Sequence, residues 1–305
     1  MSQKFKGNAT LLLTAIVWGT GFIAQKLGNE VLPPMTFNAV RQLMAALVLC
    51  PVLAINLKRT GYLSKAKNTV SQLEFKRNKL IKGGLACGVF MMIGTMCQQI
   101  GLVTVSAGKS GFISAIYIVF VPLFSVVLGN KVKTKTFACI ALAMAGFALL
   151  SLKGGLGGAT AGDWLTLLSA AAFAAQIVTV NMFVDSHNDI LLSVIQMGVS
   201  GIIGLPISLI VQMPAISAII EAMPVLLYSA VVSTAIGYTL QIVGQKYTDS
   251  TTAALIMSLE AVFAAIFGAI FLAERMAGRE LLGCVVIFVA VILDQIDLRT
   301  IIRKK

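Results

Sequence analysis

Ten runs of nearly unbroken hydrocarbon side chains dominate this chain, near residues 8–27, 35–57, 81–103, 106–129, 136–152, 163–184, 189–212, 223–245, 250–273 and 280–296. A bilayer core about 30 Å thick is crossed by roughly 20 apolar residues in helical form, so runs of this length are expected to span it. The composition agrees: of 305 residues 58% are hydrophobic and 12% charged, and the mean hydropathy is +0.92, outside the range of soluble globular proteins. In hydrocarbon every backbone polar group must find a partner within the protein, which leaves helices and closed barrels. The runs are continuously apolar, without the ten-residue alternation of a barrel. The expectation is an all-α integral membrane protein of ten transmembrane helices.

Charge orients the helices. The net charge of +12 is concentrated at the N-terminus, in "LKRTGYLSKAKNTVSQLEFKRNKL", in "NKVKTKT" and in "DLRTIIRKK". With ten spans and a cytoplasmic N-terminus all four clusters face the cytoplasm, as the positive-inside bias requires. Lys153, Arg275 and Arg279 are the main exceptions. The expected location is the inner (cytoplasmic) membrane, with both termini in the cytoplasm and the basic loop on anionic headgroups. The basic segments show no aromatic interleaving of the kind that argues for nucleic-acid binding, so nucleic acid is not an expected partner. The first run follows Lys4 and Lys6 like a signal peptide, but without a small-residue cleavage site it reads as a span. Cys50, Cys87, Cys97, Cys139 and Cys284 all fall inside runs with no CxxC pair, so no disulfide, metal site or cofactor is expected. His187, in "VDSHND", reads as a solvated loop residue. Gly108-Lys109-Ser110 imitates the end of a phosphate loop, but the required earlier glycine is Val103 and a hydrocarbon run follows. It reads instead as the polar mouth of a membrane helix.

An internal repeat divides the chain. A shift of 155 residues pairs Gly7 with Gly162, Thr14 with Ser169, Trp18 with Phe173, Arg41 with Gln196 and Pro51 with Pro206. A shift of 143 pairs Gly94 with Gly237, Gln98 with Gln241, Gly101 with Gly244, Phe120 with Phe263 and Phe124 with Phe267. The twelve-residue difference matches the longer basic loop near residues 58–79. Two five-helix units are expected, residues 1–155 and 156–305, joined through "KGGLGGATAG". Five being odd, the second enters the bilayer from the opposite side, an architecture of transporters.

The segments "AIVWGTGFIAQK", "PMTFNAVRQLMAALVL", "IGLVTVSAGKSGFISAIYIVFVPLFSVVLG" and "AALIMSLEAVFAAIFGAIFLAERMAGRELLGCVVIFVAVIL" resemble the EamA-type proteins of the drug/metabolite transporter superfamily. The resemblance covers nearly the whole chain. It implies an inner-membrane carrier, usually an exporter of metabolites, amino acids or amphipathic drugs. It also implies a central cavity lined by the first four spans of each half, with the fifth and tenth as outer scaffolding. Members often carry proline after the acidic residue of the ninth span; here that segment reads "LEAVFAA", so the sequence itself does not ensure a kink.

Polar side chains at membrane depth mark candidate sites, because each is costly unless it faces protein or water. Arg41, with Asn38 on the same face, lies inside the second span. In the fourth, Ser106, Ser110, Ser114, Tyr117 and Ser125 recur at helical spacing, with Lys109 beside them. Thr14, Trp18, Phe22 and Gln25 form a stripe in the first span and Thr234, Tyr238, Gln241 and Gln245 in the eighth; Gln98 and Gln99 continue the pattern in the third. Such stripes either glue helices together or face a wet cavity. Lys109 and Arg41 could equally snorkel outward. Glu260 takes the slot of Tyr117 in the repeat. Its carboxyl could exchange protons as a cavity hydrates, or pair with Lys109 or Arg41. Glu274 and Arg275 read as interfacial.

The substrate-binding candidates are therefore Trp18, Phe22, Gln25, Arg41, Gln98, Lys109, Ser110, Ser114, Tyr117, Tyr238, Gln241 and Glu260. Together they predict a secondary transporter that moves a small molecule by alternating access, with proton coupling through Glu260 and the bilayer as its other partner. Arg41 and Lys109 suit an anionic group, as in an amino acid. An integral-membrane enzyme would need converging catalytic groups, and a passive channel would need rings of charge; neither is visible. Assembly as a homodimer is left open.

Overall fold

Hydrocarbon leaves the backbone no partner but itself, and apart from short connections the described residues are helical throughout. The computed structural model describes residues 3–60, 70–151, 160–184, 188–271 and 278–295. His187, Lys153, Glu274, Arg275, most of the glycine-rich linker, part of the basic loop and the basic tail lie outside them. The first half contains α1 (Gln3–Val31), α2 (Pro34–Thr60), α3 (Val70–Gly101), α4 (Ala107–Ala115), α5 (Tyr117–Val127) and α6 (Thr134–Ser151). The second contains α7 (Ala161–Phe183), α8 (Asp189–Val211), α9 (Ile216–Glu221), α10 (Met223–Tyr228), a π-helical segment (Ser229–Ile236), α11 (Gly237–Gln245), α12 (Ser250–Met257), α13 (Glu260–Phe271) and α14 (Gly278–Gln295).

Among the described residues eight helical stretches are long and apolar enough to cross a membrane. Three are interrupted: α4 with α5, α10 with the π segment and α11, and α12 with α13. Shorter apolar stretches lie in α6 and α14, helices of 18 residues, or roughly 27 Å at the usual rise. Helix starts are set locally. Ser106 caps α4, Thr160 and Asp163 form a capping box on α7, Asn188 caps α8 and Asp249 caps α12. Large apolar side chains such as Leu47, Val127, Ile202, Ile210 and Ile270 are exposed around the bundle, where lipid would meet them.

The helix ends gather into two sets. At one end Thr248 donates to Asn8 at 3.2 Å, Asn188 to Asn56 at 2.7 Å and Thr136 to Asp294 at 2.9 Å, while Ser125 and Ser250 share a hydrogen bond of 3.1 Å. At the other, Lys26 donates to the carbonyls of Leu102 at 2.8 Å and Val105 at 3.2 Å, Met35 N–H donates to Gln212 at 3.0 Å, and Lys109 pairs with Asp163 at 2.7 Å. So α1 starts at the first end and α7 at the second. Lys4, Lys6, Lys58, Arg59, Lys131 and Lys133 also lie on segments of the first end.

Between the halves, α2 packs along α8 and α6 along α14; α3 packs on α7 as α11 does on α1; α4 and α5 pack on α7 as α12 and α13 do on α1. Glycines make close crossings between helices. A Cβ at Gly101 would lie 2.9 Å from the Gly162 carbonyl oxygen, and one at Gly244 would lie 3.1 Å from that of Gly7. Gly94 similarly makes room for the Phe173 ring and Gly237 for the Trp18 indole. These are the glycines that the two sequence shifts pair with one another.

Candidate functional site

The cavity between the halves has a wall that combines apolar and aromatic side chains, residues at helix breaks and buried polar groups. It is lined by Trp18, Phe22, Gln25, Arg41, Gln98, Tyr117, Phe173, Gln176, Ile177, Ser233, Tyr238 and Glu260, and about 450 Å³ there, open solvent included, is not occupied by protein atoms. Tyr117 and Glu260 are each the first residue after a break. At the first, Ile116 N–H donates to Ile113 and Val119 N–H to Ile116; at the second, Leu259 N–H donates to Ile256 and Ala261 N–H to Ser258. Bonds of this i→i−3 kind tighten the backbone and end an α-helix. The two breaks lie at positions related by the 143-residue shift. The second forms without proline, so Ala261 at the position where relatives often carry proline does not keep the helix continuous. Irregular backbone at membrane depth is tolerated where it is buried in protein or lines a cavity.

The π segment adds a third interruption, and the Ser233 carbonyl within it accepts a hydrogen bond from Trp18 Nε1 at 3.2 Å. The indole then lies against Tyr238, ring centroids 4.9 Å apart. These aromatics, with Phe22, Phe173 and Ile177, make much of the wall apolar.

Two ionisable groups of opposite sign share that wall. Arg41 is 3% exposed; its Nε and one Nη donate to Asn38 Oδ1 at 3.1 and 3.0 Å. Asn38 in turn donates to Thr95 at 3.1 Å, which fixes the guanidinium's orientation. Glu260 is 4% exposed and faces the Tyr117 hydroxyl, which has no hydrogen bond of good geometry. Among the described residues neither Arg41 nor Glu260 has an ion-pair partner. Gln25 Oε1, also buried, accepts nothing.

On the first-end side of the cavity lies a hydrogen-bonded group of four glutamines. Gln241 Nε2 donates to Gln176 and to Gln245, both at 2.9 Å; Gln176 donates to Gln196 at 3.0 Å; Gln245 donates to the Ile177 carbonyl at 2.9 Å. Gln196 Nε2 is buried without a partner, but the other members are bonded to one another, and a buried network of this kind is sensitive to loss of any member.

Eight of the twelve sequence candidates line the cavity: Trp18, Phe22, Gln25, Arg41, Gln98, Tyr117, Tyr238 and Glu260. Four do not. Ser114 accepts from Gln98 at 2.8 Å, and Ser110 is fully buried between helices. Gln241 belongs to the glutamine network. Lys109 pairs with Asp163 and not with Glu260, and it does not line the cavity. With the lysine side chain 44% exposed, the bond contributes little, about 0–1 kcal/mol. Lys109→Met is therefore expected to leave the thermal midpoint in detergent within a few degrees of the unmodified protein. A larger loss would show that the pair holds the two halves together.

Phe173, Gln176, Ile177 and Ser233 were not among the candidates. Phe173 is signalled by its repeat partner Trp18, and Gln176 by being an amide inside an apolar run. Ile177 and Ser233 carry no sequence signal.

Residues 5–152 and, separately, 160–293 match the EamA-like transporter family. The chain is 29% identical over 292 residues to an uncharacterized transporter of Archaeoglobus fulgidus, covering 95% of this chain and 86% of that protein. It is 24% identical over 302 residues to an uncharacterized transporter of Clostridium kluyveri, covering 95% and 93%. One solved crystal structure superposes with a TM-score of 0.73 at 15% identity, covering 95% of this chain and 96% of that one; this is likeness of fold.

Proposed function

This chain belongs to the EamA-like transporter family, and from that membership we propose how it works as a membrane transporter of the drug/metabolite transporter superfamily. It is a secondary carrier of the cytoplasmic membrane, built as two inverted five-helix repeats of ten crossings. A small organic molecule occupies the cavity, reached alternately from either side. The observation that carries this reading is the cavity's position at two helix breaks, one in each half, related by the repeat. Interrupted helices at corresponding positions are a strong pointer to a carrier's binding site. The reciprocal packing and paired glycine crossings support a two-fold relation between the halves. The basic residues on segments of the first end support its assignment to the cytoplasm, with both termini there. The four glutamines would close the cytoplasmic side of the cavity. The twelve lining residues are the proposed binding surface, and Glu260 is the group through which a proton would couple.

Two measurements test this. In proteoliposomes loaded with a cell metabolite extract, uptake of transported compounds should saturate and show counterflow; linear, non-exchanging flux would indicate a channel. In cells, with the native cysteines replaced, Lys6→Cys should react with an impermeant maleimide only after permeabilisation and Ala161→Cys from outside without it. Labelling of both from one side would eliminate the inverted arrangement.

A further inference from the structure

The four glycines that the repeat relates in pairs divide by what they touch. At Gly101 and Gly244 an added Cβ would run into a backbone carbonyl oxygen of the facing helix, 2.9 and 3.1 Å away. At Gly94 and Gly237 it would meet a ring: Phe173 Cδ1 and Cε1, both at 2.8 Å, and Trp18 Nε1 and Cδ1, at 2.6 and 3.0 Å. The first pair sets how closely helices pack. The second pair bears on the cavity, because both rings line it although neither glycine does. Trp18 projects from α1 onto α11, and Phe173 from α7 onto α3, so each half supplies one ring and one bare stretch of backbone for the other's ring. Trp18 is also pinned by the Ser233 carbonyl and lies against Tyr238. Phe173 has no polar atom and is held by packing alone.

We infer that Gly94 and Gly237 are positioning residues that set the size of molecule the cavity accepts, each by letting an aromatic wall stand back from it. The inference rests on the carrier reading and goes beyond it, since it places a determinant of selectivity behind the lining. A methyl group at either position cannot coexist with the ring where it now lies. A helix backbone is held by its own hydrogen-bond ladder, whereas a ring turns about its side-chain torsions, so the ring is what yields. Space next to both rings that protein atoms do not occupy lies on the cavity side, and a ring driven off its glycine narrows that space. Bulk added at Gly101 or Gly244 meets backbone and has no such route. In an apolar pocket one methylene is worth about 10–200-fold in discrimination, so a wall displaced by a methyl group is felt first by the largest molecules carried.

The test has two arms on the full chain. In the first, proteoliposomes are offered a cell metabolite extract, and the compounds taken up are ordered by size with mass spectrometry. Gly94→Ala and Gly237→Ala should each lower uptake of the largest compounds relative to the smallest by about tenfold or more. Phe173→Leu should shift the order the other way, and combining it with Gly94→Ala should restore the large compounds. Gly244→Ala is the control, in which any loss falls on all sizes alike. The second arm needs no transport. With Trp164, the other tryptophan and 63% exposed, replaced by Phe, the fluorescence of Trp18 in detergent is quenched with acrylamide and with the bulkier succinimide. Gly94→Ala leaves the seat of Trp18 untouched and should lower the ratio of succinimide to acrylamide quenching, and Phe173→Leu should raise it. An unchanged ratio, or uptake reduced equally at every size, overturns the inference. A changed ratio in a chain that takes up nothing would leave it standing and remove the carrier reading instead.

Discussion

Leucine in place of Gly101 is expected to prevent α3 from seating on α7 and to cost the protein most of its stability. The Cβ alone would sit 2.9 Å from the Gly162 carbonyl oxygen and against the Thr166 hydroxyl. That oxygen belongs to backbone, which cannot rotate away as a side-chain tip can, so the helices must separate. Overpacking a tight contact costs about 1–3 kcal/mol, and here the rest of a leucine side chain must be accommodated as well. The measurement is the fraction of protein that remains monodisperse on size-exclusion chromatography after a temperature ramp in detergent. Gly108→Leu is the control, because a Cβ there meets nothing within 4 Å. Equal behaviour of the two variants would mean that the α3–α7 crossing is not a tight contact in solution.

The second large effect is expected at Gln241. Leucine there removes both donors that Gln241 supplies, leaving Gln176 Oε1 and Gln245 Oε1 buried without partners. An unsatisfied buried polar group costs about 1–3 kcal/mol, so the two together should lower the thermal midpoint clearly. The distinguishing measurement is a double-mutant cycle with Gln176→Leu. Removing both amides takes away the orphan along with its partner, so the double variant should lose less than the sum of the singles. Coupled neighbours commonly depart from additivity by about 0.5–3 kcal/mol. Strict additivity would mean that the 2.9 Å bond between the two amides contributes nothing.

These predictions concern positions that the sequence marked unequally. Gly101 and Gly244 were legible as a repeat pair, and a two-fold relation between halves turns such a pair into two equivalent contacts. Gln241 is also visible, as a polar residue at helical spacing with Tyr238, but the structure bonds it to Gln176 and Gln245 and it is not among the residues lining the cavity. An amide inside a helix can face a cavity or another amide, and spacing along one helix does not distinguish them. The fourth span shows the same ambiguity. Its serine stripe is real, yet Ser114 is bonded to Gln98 and Ser125 to Ser250, and only Tyr117 of that stripe reaches the cavity. Lys109 was a reasonable candidate until its partner appeared 54 residues away in the other half.

Hydropathy by itself determined that this chain forms membrane helices, roughly where they run and that the polar residues within them are few, because the cost of placing a group in hydrocarbon depends mainly on that group and its immediate neighbours along the helix. Repeat spacing further indicated which positions correspond. Only the tertiary structure decided which polar side chains satisfy one another and which are left facing the cavity. It also decided that a helix would break at Ser258–Leu259 without proline and that Arg41 and Glu260 would share a wall without pairing. Those outcomes depend on which helix lies opposite, and that follows from packing across the two halves, at separations along the chain over which periodicity carries no information.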